Sequence, residues 1–325
     1  MKGPSEKALK TWVLALTSVA SLMVALDALV VTTALGTIRL DLGASIEALQ
    51  WTMNAYNLSF AVLLLTGAAL GDRFGRRRMF VAGLSLFVAA SAACALARSA
   101  GFLIAARAVQ GAGAALVMPL AMALLSAAFP PQERGKALGI FSGLTGLALI
   151  AGPVVGGAVA EGTAWQWIFW INIPIGLIAI PLVRSRIPES SGPGTTIDIL
   201  GVALVTGAAL GLVWGLMRGN NAGWKSPEVA AALVAAFLLA LAFVLWELRA
   251  DAPMLPMRLF RSRAFSSGNA ASFLYSASLY GTVFFMAQFL QTAQGHGPLG
   301  AGLRLLPGPP HYSWSHRSRV PLSTG

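Results

Sequence analysis

Residues 12–36 read WVLALTSVASLMVALDALVVTTALG, an apolar run interrupted by one charge, Asp27, and preceded by Lys2, Lys7 and Lys10. A helix needs about 20 mostly apolar residues to cross a bilayer core of about 30 Å, and this run is long enough. It is also longer than the apolar core of a signal peptide and lacks a clear small-residue cleavage site, so it reads as an uncleaved first span. Eight further runs follow: 48–70, 79–97, 101–129 with Arg107 inside it, 137–160, 165–183, 199–217, 229–246 and 266 to about 292. None alternates polar with apolar residues, and each exceeds the roughly 9–11 residues of a tilted barrel strand. The expected fold is an all-α integral membrane bundle with nine transmembrane helices.

Composition agrees. The chain is 56% hydrophobic and 11% charged, against roughly 25% charged for a soluble domain. Its 35 glycines suit close helix packing in lipid. Three histidines, one cysteine and twelve acids leave little for a metal cage or disulfide framework. No nucleophile–base pair, H-E-x-x-H or phosphate loop occurs, so neither enzyme chemistry nor a cofactor is expected. With the N-terminus in the cytoplasm, inside segments hold fifteen Lys and Arg and outside loops four, Arg39, Arg98, Arg218 and Lys225. The net charge of +11 therefore reads as basic cytoplasmic loops of a multi-pass protein of the cytoplasmic membrane, not as a nucleic-acid footprint.

The runs divide the chain into residues 1–183, a six-helix unit; 184–198, a cytoplasmic linker; 199–248, a separate helix pair; 249–306, a basic loop and the ninth span; and 307–325, a polar tail. Ionisable residues within a span are functional candidates by default. Asp27 lies nine residues from the outer end of its run and Arg107 six, or about 14 and 9 Å deep at 1.5 Å per residue. They can form a structural ion pair, or serve separately for a proton and a substrate.

The loop after the second run, Gly67 to Arg78, strongly resembles the major facilitator superfamily pattern G-x-L-a-D-r-x-G-r-k. Leu70, Asp72, Arg73, Gly75, Arg76 and Arg77 match; Ala68 takes the leading glycine position. The fourth run is similar to that superfamily's l-x-x-x-R-x-x-q-G-x-g-a-A through Leu103, Arg107, Gln110, Gly111, Gly113, Ala114 and Ala115. The fifth resembles the antiporter pattern g-x-x-x-G-P-x-x-G-G through Gly152, Pro153, Gly156 and Gly157, with Ala148 in place of the first glycine. Packing alone is a competing account of that last segment. Two further stretches resemble the fourteen-span drug:proton antiporter family: Leu26-Asp27 with Ala34, Leu35 and Ile38, and Trp165 to Gly176 with its W-x-W-I-F-x-I-N-x-P-x-G order. Thr32, Thr33 and Gly36 depart from the first of these patterns.

The resemblance implies an alternating-access carrier that exports lipophilic or cationic drugs or antibiotics in exchange for protons. It gives Asp27 and Arg107 a coupling role on cavity-lining helices, with Asn54 and Asn57 as added polar contacts. It makes Asp72 a latch against a second six-helix half. Nine spans where fourteen are expected, with an abrupt change after Pro307, point to a truncated or frameshifted product in which Asp72 lacks that partner and Arg107 is left open. Two alternatives stand beside drug efflux: export of one specific metabolite, and a non-transporting fragment. Oligomeric state has no reading in the sequence.

Overall fold

The structure is a computed structural model that describes residues 6–162, 164–192, 198–251 and 253–295, with residues 297, 300 and 304. Its elements are α1 (Glu6–Leu42), α2 (Ile46–Phe74), α3 (Arg76–Ala95), α4 (Ala100–Ala128), α5 (Pro131–Gly162), α6 (Trp167–Trp170), α7 (Asn172–Arg186), α8 (Ile199–Ala222), α9 (Pro227–Glu247) and α10 (Arg263–Gln288). A 3₁₀ turn at Met257–Arg261 precedes α10 and a π turn at Phe289–Ala293 follows it. Among the described residues, seven spans are long and apolar enough to cross a membrane: α1 to α4, α6 with α7, α8 and α9. Helices α5 and α10 occupy the stretches expected as the fifth and ninth spans. The expected tail, residues 307–325, lies outside the described residues.

Most helices outrun their apolar stretches. α1 has 37 residues, about 55 Å at 1.5 Å per residue, so its polar ends project beyond a bilayer core. Its neighbours start at polar caps: Ser45 accepts from the Ala48 amide at 3.1 Å and Ser99 from the Phe102 amide at 3.3 Å. The sixth span, expected to be continuous, is broken at Ile171 between α6 and α7. Pro174 explains the break, because it has no N–H and its ring crowds the carbonyl four residues earlier, Trp170.

Helix α4 packs between α2 and α3, α5 lies along α1, and α7 closes the bundle against α3 and α1. Small residues set the closest approaches. A methyl group on Gly111 would collide with the Tyr56 carbonyl of α2, and one on Gly113 would lie 2.7 Å from the Phe87 amide nitrogen of α3. One on Gly152 would lie 2.7 Å from Leu29 Cβ, so the antiporter-like segment is where α5 meets α1. Gly156 and Gly157 are buried, and the side chain of Pro153 lies outside the described residues.

The interior has two apolar clusters. One, toward the basic end that carries Arg76–Arg78, includes Leu16, Met23, Tyr56, Phe80, Phe87, Leu124 and Phe141. The other includes Val31, Ile38, Leu49, Leu103, Trp165 and Phe169. Helices α8 and α9 form a separate antiparallel pair that meets the bundle at α2: Trp51 and Trp214 lie 5.8 Å apart, and Arg218 reaches Glu47 at 3.5 Å. Helix α10 leaves Phe273, Leu274, Tyr275 and Phe285 exposed.

Candidate functional site

A layer of polar side chains separates the two apolar clusters, and Asp27 and Arg107 meet in it. Arg107 Nη1 donates to Asp27 Oδ2 at 2.5 Å and to Gln110 Oε1 at 2.7 Å, and its Nε donates to the Thr52 carbonyl at 3.3 Å. The other Asp27 oxygen accepts from Gln110 Nε2 at 2.9 Å and Asn172 Nδ2 at 2.8 Å. Ser91 Oγ accepts from the same two amides at 2.7 and 3.3 Å. The guanidinium also lies 4.1 Å from the Tyr56 ring centroid, a cation–π contact. Helices α1, α2, α3, α4 and α7 thus each place a polar group at one point.

Burial makes the arrangement stringent. Asp27 is 2% exposed and Arg107 1%; Gln110, Ser91, Asn172 and Thr52 are equally enclosed. Removing two charges from water costs several kcal/mol per ion, and attraction offsets this only with good geometry and satisfied hydrogen bonds. The neutral amides provide those bonds. Gln110 does so one helical turn beyond Arg107 on α4, a spacing that puts the two side chains on the same face.

Two expectations need correction, those for Arg107 and for Asn54 with Asn57. Arg107 faces the interior of its own bundle instead of a cavity or lipid, because Asp27, Gln110 and Tyr56 surround its guanidinium. Among the described residues the Asp72 carboxylate accepts from Arg76 Nε at 2.8 Å, and its carbonyl from the Gly192 amide at 3.2 Å. Asn54 donates to Met217 S on α8 at 2.8 Å, so it joins α2 to the helix pair instead of lining a cavity. Asn57 is exposed.

The basic loop is fastened to the strand of chain after α7, a contact the sequence did not reveal. Arg76 donates its amide to the Ser190 carbonyl at 2.8 Å, and the Arg77 amide donates to Glu189 Oε1 at 2.9 Å. Arg77 Nη1 donates to the Arg184 and Ile187 carbonyls at 3.2 and 3.1 Å, while Arg78 lies 3.7 Å from Glu189. Gly75, the single residue between α2 and α3, has φ +104°, and a side chain there would also press on Glu189. Leu70 sits partly buried on α2, and Arg73 is exposed with its guanidinium 5.3 Å from the Phe74 ring. At the opposite end Trp165 Nε1 donates to Asp41 at 2.7 Å, tying the W-x-W segment to α1.

Sequence reading offered an Asp27–Arg107 ion pair as one of two alternatives, singled out Gln110 without joining it to them, and passed over Ser91, Thr52 and Tyr56. Asn172 was visible only as one letter of a resemblance. Among the described residues no group of three His, Cys, Asp or Glu side chains could hold a metal ion.

Comparison with known proteins places this geometry. The family model described as Major Facilitator Superfamily matches residues 17–308. The chain is 38% identical over 292 residues to the tetracenomycin C resistance and export protein of Streptomyces glaucescens, covering 89% of the chain and 54% of the relative. It is 38% identical to the methylenomycin A resistance protein of Bacillus subtilis, covering 88% and 62%, and 35% identical to multidrug resistance protein Stp of Mycobacterium tuberculosis, covering 88% and 53%. The chain therefore spans between about half and three fifths of the length of these curated relatives. Among solved structures, a POT family transporter in complex with a thioalcohol-conjugated peptide superposes with a TM-score of 0.61 at 15% identity, covering 92% of this chain and 65% of that one. A peptide transporter POT in complex with sulfate gives 0.58 at 18%, covering 91% and 64%. At those identities the likeness speaks for the helical fold. With most of its length matched by one family model and its helices in that architecture, the chain is a multi-pass membrane protein that belongs to the Major Facilitator Superfamily.

Proposed function

We propose that the chain serves proton-coupled export of small lipophilic or cationic compounds, antibiotics among them, across the cytoplasmic membrane, with its N-terminus in the cytoplasm. In this reading residues 1–183 are one rocking bundle, 184–198 its linker, 199–248 an inserted helix pair, and 249–306 the entry to a second bundle. The observation that carries it is the Asp27–Arg107 pair: two fully buried opposite charges at the junction of five helices. A proton added to Asp27 cancels the charge that holds Arg107 and removes an acceptor from a closed set of donors. The guanidinium must then find another anion or move, and five helices feel the change. Protonation is thereby linked to helix positions, which is what coupled alternating access requires. The names of the relatives, a resistance and export protein and two resistance proteins, support the substrate class.

The test uses inside-out vesicles from cells expressing the gene, with an imposed proton gradient and a fluorescent lipophilic cation. Gradient-driven accumulation is expected, and Asp27→Asn should abolish it while leaving membrane insertion intact. Unchanged accumulation by Asp27→Asn would remove the residue from coupling. A second reading has its own support, since the network is closed and satisfied: the pair is a structural clasp. It wins where Asp27→Asn lowers only the amount of folded protein and transport per molecule is unaltered.

A further inference from the structure

A second pair of acids lies outside this network, at the basic end of the α8–α9 pair. Glu247 closes α9 and is 3% exposed; its Oε2 accepts from the Leu255 amide at 2.9 Å, and its Oε1 has no protein partner among the described residues. Asp198 caps α8, accepting from the Gly201 amide at 2.7 Å and from Trp246 Nε1 at 2.9 Å. The two carboxylates converge over one glycine. A methyl group on Gly201 would collide with Asp198 Oδ2 and lie 3.0 Å from Glu247 Oε1. Neither acid has a lysine or arginine within ion-pair distance among the described residues.

We propose that Asp198 and Glu247 form a second proton-binding site, in which one proton bridges the two carboxylates and latches the segment that leads into α10. Two adjoining carboxylates without a cation do not both ionise readily. Helix polarity decides where the proton rests. Asp198 sits at the N-terminus of α8, where free amides favour negative charge, whereas Glu247 sits at the C-terminus of α9, where carbonyls disfavour it. The proton is therefore held on Glu247 Oε1 and donated to Asp198, and this fills the one polar position on Glu247 that has no partner. The groups facing Glu247 are Asp198 from α8 and the Leu255 and Met254 amides from the following segment; Trp246, on α9 beside Glu247, adjoins Asp198. Loss of the proton places two negative charges side by side, so the carboxylate that holds Leu255 is pushed off. The latch is closed at low pH and opens as pH rises.

Hydrogen exchange at the Leu255 amide reads this directly, on the whole chain in nanodiscs between pH 5 and 9, corrected for intrinsic exchange. Protection should fall by about tenfold or more as pH rises. Glu247→Gln should abolish the transition and keep the amide protected throughout, since its amide group donates to Asp198 without a proton to lose. Asp198→Asn, which also removes the like charge, should flatten the profile and serves if the first variant fails to insert. A flat wild-type profile, or a transition that persists in both variants, would overturn the proposal. Protection restored at high pH by added Mg²⁺ would overturn it too, by making the pair a metal-cation site. No transport is measured, so the result stands apart from the outcome for Asp27.

Discussion

Arg107 bonds to groups on three helices at once, and its shape explains how. A planar guanidinium reaches Asp27, Gln110 and the Thr52 carbonyl together while stacking on Tyr56. Arg107→Ala removes all four contacts and leaves Asp27 buried without a cation. The expected loss is about 3–5 kcal/mol of stability, seen as a lowered melting temperature in detergent. Arg107→Lys should recover part of that stability but not coupled transport, because a single ammonium cannot span the same partners. Recovery of both would show that charge alone matters. Sequence reading found the pair because a charge in an apolar run has a desolvation cost that singles it out. Ser91, Thr52 and Asn172 have no such cost written into their letters, so the amide and hydroxyl half of the network became visible only when the helices were placed. Depth along the runs brought Asp27 and Arg107 near the same level, but rotation of each helix about its axis decided that they touch.

The all-helical class and the order of the helices were legible because each run is long and bounded by charge, Gly or Pro, and seven spans among the described residues are long and apolar enough to cross a membrane; departures within the helices have local causes. The break at Ile171 follows from Pro174, a breaker whose effect falls on the preceding turn. Clasping of the Asp72 loop by Glu189 depends on the path of the chain after α7, which no local pattern records. Glycines divide similarly into those that set helix contacts and those that do not. Gly113→Ala should destabilise the protein by about 1–3 kcal/mol, since the Phe87 backbone cannot move aside without shifting α3. Gly143→Ala, on an exposed face of α5 with nothing within 4 Å, should stay within about 1 kcal/mol of the parent and can stabilise. Thermal melts of the two variants compare a contact glycine with a free one. Equal melts would mean that α3 and α4 do not approach as closely as described.

Across the whole molecule, most arginines and lysines gather at one end of the bundle. Arg76, Arg77 and Arg78 sit at the same end as Lys10 and Glu133, which pair at 3.0 Å, while Trp165 and Asp41 join α1 to the start of α6 at the far end. In the proposed orientation the basic end faces the cytoplasm, as the positive-inside rule expects. The protein contains a single cysteine, Cys94, which is fully buried with Sγ 3.6 Å from Gln110 Oε1, so it should not react with a membrane-impermeant maleimide. Introduced cysteines therefore report topology without a cysteine-free background. Arg78→Cys replaces a side chain that is 73% exposed at the basic end, and Trp224→Cys one that is 56% exposed between α8 and α9. These positions lie at opposite ends of α2, since its start meets the last turns of α8 through Glu47–Arg218 and Trp51–Trp214, next to Trp224, whereas Arg78 follows its far end. The maleimide should label Arg78→Cys in inside-out vesicles and leave it unlabelled in intact cells, and should label Trp224→Cys with the reverse pattern. Labelling of both from the same side would place α8 and α9 outside the bilayer. Reversal of both patterns would put the basic end outside, and with it the proposed latch at Asp198 and Glu247.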